Sequence, residues 1–202
     1  MPAEFVHLHN HSDYSLLDGA QTVQTLVNTI DDLQMDAVAL TEHGNMFSAV
    51  SFYNNANKTG IKPIVGSEVY VAVNNRFDKK PRAEGGWGNN HLILLAQNYT
   101  GYKNLMKLIT VGYLEGFYYR PRIDKDILRE FSDGLICMSA CLKGEGPEKL
   151  VIMIGTEPRK RHWNMLKFFL TDIFYKFRTT VLIRSRSILK KRKNSPANWV
   201  FH

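Results

Sequence analysis

The sequence predicts an α/β fold in residues 1–150, a parallel sheet or barrel, on two observations. Short apolar runs of strand length alternate with helically spaced segments. Polar residues recur beside those runs, and folds of this class gather their sites at the carboxyl ends of strands. Segment 5–8 (FVHL) reads as a first strand. In 22–34, Val23, Leu26, Val27, Ile30 and Leu33 repeat at helical spacing. Segment 37–44 (AVALTEHG) is a buried-strand run ending in polar residues, and 48–60 is a helix closed by Gly60. Segment 62–73 reads as one strand or two, and 74–90 as a loop from its Asn, Gly, Pro and charge content. Segment 91–98 is a strand, 99–116 a helix, and 134–142 a strand with its following turn. No repeat at a fixed period is visible.

A length of 202 residues with 44% hydrophobic content suits one globular domain, with or without an extension, and excludes a disordered or fibrous chain. The longest apolar runs, 91–96 and 134–138, fall well short of the roughly 20 residues a membrane helix needs. Residues 1–10 lack the basic and then apolar pattern of a secretory signal. Two cysteines, Cys137 and Cys141, do not make a disulfide scaffold, and a reducing cytoplasm is the expected location. The net charge of +7 invites a nucleic-acid reading until it is localised. Residues 1–150 hold 14 Lys and Arg against 17 Asp and Glu, whereas 151–202 hold 12 against 2. The basic excess therefore belongs to the last quarter alone.

The densest chemical signal is HLHNHSDYSLLDG, residues 7–19. On an extended segment, side chains two apart point the same way, so His9 and His11 can present their imidazoles together. His7 shares that parity, and periodicity does not choose among the three. Imidazoles joined by carboxylates suit zinc, manganese or iron. Asp18 is close enough in sequence to join them. Glu42 and His43 end the second strand run, Glu68 lies in the third, and Cys141 follows the last. His91 is the untidy member, because it opens its strand rather than closing it. Glu68 or Asp18 could bridge two cations about 3.5–4 Å apart, and such cations polarise a phosphoryl oxygen and acidify water. The bland alternatives are incidental surface histidines, an exposed strand carboxylate at Glu68 and a buried apolar thiol at Cys141.

The segments LHNHSDYSLLDGA, ALTEHGNM, KPIVGSEVYV, NHLILLAQN, GFYYRPRID and GLICMSACLKGE resemble, in order and spacing, the polymerase-and-histidinol-phosphatase (PHP) domain. GFYYRPRID and SACLKGE narrow the likeness to the PHP domain at the N-terminus of bacterial replicative DNA polymerase III alpha subunits. The resemblance covers residues 4–149. It implies a distorted (β/α)7 barrel holding up to three divalent metals: zinc, manganese, iron or magnesium. Matched motif by motif, the ligands would be His9, His11, Asp18, His43, Glu68 and His91, with Cys141 at a place often taken by His or Cys. The family's closing Asp-x-His has no counterpart, so the barrel and its site are expected to be incomplete. Some members keep phosphoesterase or 3′–5′ exonuclease activity, and others keep the domain only as structure. The polymerase palm, fingers and carboxylates are absent from this chain. Arg120 and Arg122 are candidates for contact with DNA or a neighbouring domain; surface salt bridges are the plainer reading.

After about Leu150 the resemblance is expected to end, where the composition also turns basic, so 151–202 is expected to form no domain. One reading makes this stretch a nucleic-acid arm. A better one makes it the polymerase gene read out of frame. Joining the third base of each codon to the first two of the next, His162-Trp163-Asn164 must encode Leu then Glu, and residues 161–165 can give ALEY. Residues 174–182 can give LQIQDHG followed by Ile or Leu, and 195–202 can give TRQLGIP, with Leu and Gly forced. These follow the order the family would show next. A barrel without its later strands would expose sheet edges, so poor folding in isolation is expected. The leading functional reading is a fragment of a DNA-directed DNA polymerase, with DNA and other replisome subunits as partners of the intact parent. A free-standing metal phosphoesterase and a non-catalytic structural or DNA-binding module are the alternatives.

Overall fold

The computed structural model describes residues 5–80, 89–141 and 143–145. The elements run α1 (Val23–Asp32), β1 (Ala37–His43), α2 (Ala49–Thr59), β2 (Lys62–Ala72), β3 (Asn89–Ala96), α3 (Tyr99–Leu114), β4 (Arg122–Ile123), α4 (Lys125–Glu130) and β5 (Leu135–Ser139). Local chemistry explains most of the boundaries. The Thr22 hydroxyl accepts from the Thr25 amide to cap α1, and the Asn98 and Asp124 side chains cap α3 and α4 in the same way. Gly60 ends α2 in the left-handed conformation, with φ 78°, which a residue lacking Cβ adopts without strain.

The strands form one sheet in the order β1-β2-β3-β5, with the two-residue β4 beside the far end of β2. β1 and β2 are parallel, whereas β3 is antiparallel to both β2 and β5. The sheet is therefore mixed where the alternation of elements predicts parallel pairing. An antiparallel neighbour can return directly, without the long crossover that parallel pairing requires. The predicted first strand, 5–8, shrinks to an isolated bridge between His7 and Val38.

Side-chain alternation along the strands sorts structure from site. Val38 and Leu40 of β1 pack with Val23, Leu26, Val27 and Ile30 of α1 and Phe52 and Ala56 of α2. Val69 and Val71 of β2 and Leu94 of β3 pack with Leu105 and Leu108 of α3 and Ile127 and Leu128 of α4. Fully burying a side chain such as Phe52 or Leu94 stabilises the fold by about 1.5–3 kcal/mol, enough to fix which face each strand turns to the helices. The alternate residues then fall on the opposite face: Ala39, Thr41 and His43; Glu68 and Tyr70; His91, Ile93 and Leu95. Ala39, Ile93 and Leu95 form a smaller apolar cluster there with the half-buried Leu8, Ile64, Ile136 and Met138. The polar candidates lie beyond that cluster, at the His43 end of β1.

No helix among the described residues is long and apolar enough to cross a membrane.

Candidate metal centre

Glu68 is the hub of the site. Its side chain is only 2% exposed, with His9 Nε2 and His11 Nε2 each 3.2 Å from Oε2. His91 Nδ1 meets the other oxygen, Oε1, and His43 Nδ1 stands 3.6 Å from Oε2. Four imidazoles thus surround one buried carboxylate. Asp18 extends the cluster from the far side, its Oδ2 lying 2.8 Å from His43 Nε2. Three overlapping groups have the spacing of a metal site: His9, His11 and Glu68; His11, Asp18 and His43; His43, Glu68 and His91.

Each candidate ligand is positioned by an identifiable local cause. The segment before α1 runs beside β1, with the Ala39 amide donating to His7 O (2.8 Å) and the Thr41 amide to Asn10 O (2.9 Å). This pairing aims His9 and His11 at Glu68, and their rings meet edge to face at 4.7 Å. His7 stays outside, exposed and edge-on to Phe5, which settles the choice that parity left open. His43 ends β1 opposite Glu68 in the register. His91 lies at the start of β3, yet the antiparallel pairing brings that start to the carboxyl end of β2, where His91 faces Tyr70. Its untidy position in the sequence is a consequence of strand direction.

Two positioning residues, Thr41 and Glu42, lie outside the predicted ligand set. The Thr41 hydroxyl donates to Asn10 O at 3.0 Å, so at His9 Nδ1, 2.9 Å away, it acts as acceptor. That places the ring proton of neutral His9 on Nδ1 and points the Nε2 lone pair at the site, a common outer-shell device in metal centres. Glu42, 1% exposed, ties down the loop that carries Asp18. It accepts from the hydroxyls of Ser12, Ser15 and Ser48 and from the Ser12 amide. The Ser15 hydroxyl in turn accepts from the His43 amide at 3.0 Å. The pairing of Glu42 with Ser12 and Ser15, 30 and 27 residues away, is a tertiary event with no local spacing to betray it.

The electrostatics fit a cation. Burial alone would raise the Glu68 pKa, but hydrogen bonds from His11, His9 and His91 outweigh it and hold the carboxyl far below the usual range. For His11, burial lowers the pKa, and the hydrogen bond and charge of Glu68 reverse the sign, leaving it raised. Asp18 is lowered, because its bond to His43 outweighs a desolvation that pulls the other way. His9 Nε2 and Glu68 Oε2 lie 3.2 Å apart, a contact that either a proton or a metal between them would bridge. The Nδ1 atoms of both His11 and His43 are buried without a hydrogen-bond partner, which an ordered protein interior rarely leaves uncompensated. These donors therefore suit divalent metal.

Cys141 Sγ comes within 3.9 Å of His91 Nδ1 at the edge of the cluster but belongs to none of the three groups. Cys137 is fully buried, its thiol pushed up to about 12 by burial, and it packs as a small apolar residue. Arg122 does not face outward as a DNA or interdomain contact would. It is 1% exposed, and its guanidinium donates to the carbonyls of Gly116, Arg76 and Asp78, tying two loops to β4. Arg120 is exposed, with its guanidinium 5.7 Å from the Tyr70 ring centroid.

The sequence model of the PHP domain matches residues 7–178. The chain belongs to the PHP domain family. That match runs past Leu150, so the expectation that the family resemblance ends there does not hold. This PHP domain is 49% identical over 173 residues to DNA polymerase III subunit alpha of Borreliella burgdorferi, covering 86% of this chain and 15% of that protein. It is 51% identical over 147 residues to the Treponema pallidum subunit, covering 73% and 12%. The Thermus aquaticus subunit is 49% identical over 147 residues, covering 72% and 12%. The chain thus spans only 12–15% of the length of these relatives. Among solved structures, a two-domain protein of Bacteroides vulgatus, described as containing a predicted PHP-like metal-dependent phosphoesterase, aligns over 81% of this chain and 41% of its own. It does so with a TM-score of 0.43 and 19% identity.

Proposed function

We propose that this chain is part of a DNA polymerase III alpha subunit, bearing its metal-binding PHP region and none of its polymerase active site, and that the site acts on phosphate esters. The observation that carries the metal-site reading is the quartet of imidazoles around one buried carboxylate, two of them with orphaned nitrogens. Identity of 49–51% to alpha subunits supports that parent; a cytoplasmic setting, and DNA and replisome subunits as partners of the intact protein, are part of the same proposal.

His9, His11, Asp18, His43, Glu68 and His91 would hold the metals, with Cys141 at the margin. Divalent cations bound there would polarise a phosphoryl oxygen and lower the pKa of water. The chain's own contribution is placement. Glu68 gathers the imidazoles, Thr41 orients His9, and Glu42 fixes the loop that carries Asp18. The tail beyond Leu150 is proposed to come from a change of reading frame, which sequencing across and beyond the coding region tests. Failure to find palm and fingers sequence downstream would favour a free-standing phosphoesterase instead.

Purified full chain, dialysed against zinc or manganese and analysed by elemental mass spectrometry, is expected to retain divalent metal. It is then offered a phosphomonoester and a single-stranded oligonucleotide. Metal-dependent hydrolysis of either supports an active centre. Metal retention without hydrolysis assigns the site a structural role, and absence of bound metal refutes the site.

A further inference from the structure

We infer that Arg120 is a phosphate-binding residue of this centre, supplying the positive side-chain charge that meets a phosphate oxygen beside the metals. The inference deepens the phosphate-ester reading given above and rests on it. Three observations support it. Arg120 stands over Tyr70, whose ring packs edge-on against His91 at 5.1 Å and stacks at 6.3 Å with His43. The guanidinium is thus one aromatic ring away from two of the proposed ligands. Its exposed fork has no carboxylate partner among the described residues. Arg76 and Arg129, in contrast, are paired to Glu115 and Asp124 and to Asp126, and Arg122 is buried among carbonyls. A planar, always-charged group with no carboxylate partner among the described residues, at the rim of a centre proposed to hold divalent metal, suits an anion that binds there, and guanidinium matches phosphate oxygens in fork geometry.

The third observation is that the turn carrying Arg120 is built to hold it in place. Tyr119 has a left-handed backbone, φ 57°, a conformation that non-glycine residues rarely keep unless their surroundings enforce it. The Tyr118 amide donates to Arg120 O at 3.1 Å across the turn. Pro121 then wedges against Gly44, at the end of the strand that delivers His43. A Cβ on Gly44 would stand 2.9 Å from both Pro121 Cγ and the Tyr70 ring, and Gly44 itself has φ 61°. The Arg120 turn therefore seats directly on the backbone that follows His43, with Arg122 anchoring it from behind.

Phosphate at such a centre could come from the phosphoryl group being cleaved or from a neighbouring diester of a strand, so two probes are needed. Full chain loaded with manganese is titrated with inorganic phosphate and with an eight-residue oligothymidylate, for wild type, Arg120→Gln, Arg120→Lys and, as a control on a paired surface arginine, Arg129→Gln. Arg120→Gln is expected to weaken binding by about 10-fold or more, as loss of a charge-assisted hydrogen bond does. Arg120→Lys should recover part of that loss, with manganese content and thermal midpoint unchanged. Weakening of both probes places Arg120 on the metal-bound phosphoryl; weakening of the oligonucleotide alone places it on the adjacent diester. Unchanged affinity for both, loss of manganese in Arg120→Gln, or an equal loss in Arg129→Gln overturns the assignment. If wild type binds neither probe, the phosphate-ester reading itself fails.

Discussion

Replacing Glu68 by Gln keeps the shape of the hub and removes its charge. Glu68 belongs to two of the three candidate metal groups, so the variant should retain at most the group made by His11, Asp18 and His43. Bound metal per chain should fall accordingly. The metal-free protein gives a second, independent readout. Glu68 has a depressed folded pKa, so its contribution to stability is present above the unfolded value of 4.5 and is lost as pH falls through the folded one. His11 has a raised folded pKa, so its contribution is present below 6.5 and is lost as pH rises through the folded value. Both contributions coexist between these limits, near pH 5.5. Removing one partner of a buried ion pair costs about 3–5 kcal/mol, and that full cost should be felt in this window. At pH 8.5, further along the rise through the folded value of His11, its contribution is diminished, and the cost should fall toward about 1 kcal/mol, the scale of one ordinary hydrogen bond. Urea unfolding of apo wild type and Glu68→Gln at the two pH values measures the difference, and elemental mass spectrometry measures the metal. Equal metal content in the two proteins, or an apo stability loss independent of pH, would refute a hub role for Glu68.

Thr41→Val removes the acceptor that fixes the His9 tautomer while keeping the side-chain volume, and should weaken metal binding by about 10–100-fold; competition with a chromogenic chelator reads this directly. Asp124 is buried, which by itself raises its pKa, but the amides of Arg76 and Ile127 and the Arg76 guanidinium bring it below the usual value. Its contribution is therefore present above pH 3.8 and disappears as pH falls through the lowered folded value, so Asp124→Asn should cost stability at pH 7 and much less near pH 2, as urea midpoints will show. Restoring the alternate reading frame after Leu150 should raise the soluble yield and sharpen thermal unfolding relative to the present chain. No gain in either measure would remove the physical support for a frame change.

Much of the site was legible from parity and from strand ends, because those are local properties of the backbone. The spacing of Val23, Leu26, Val27 and Ile30 marked α1, and Gly60 marked the end of α2, within a residue or two of where they fall. The choice between His7 and its neighbours was not legible, since it depends on how residues 7–11 pair with β1. Reading His91 as out of place assumed parallel strands, and its role became clear only with the direction of β3. The two-residue β4 and six-residue α4 escaped a search for longer periodic runs, although Asp124 is a normal capping residue. Arg122 was misread because a buried guanidinium satisfied by backbone carbonyls looks, in sequence, the same as an exposed one.

The serine cage around Glu42 has a consequence for how metal would enter and leave the proposed site. In small zinc modules the ion itself orders the chain, so that uptake and folding are one event. Here the loop from Ser12 to Asp18 is fastened by hydroxyl and amide bonds to a carboxylate that belongs to none of the candidate metal groups. The pocket is thus preorganised: the entropy of arranging its ligands is lost when the protein folds, not when the ion arrives. Chelation should then leave an empty but standing receptacle, refilled as fast as hydrated ions shed water, with no refolding phase to slow the exchange.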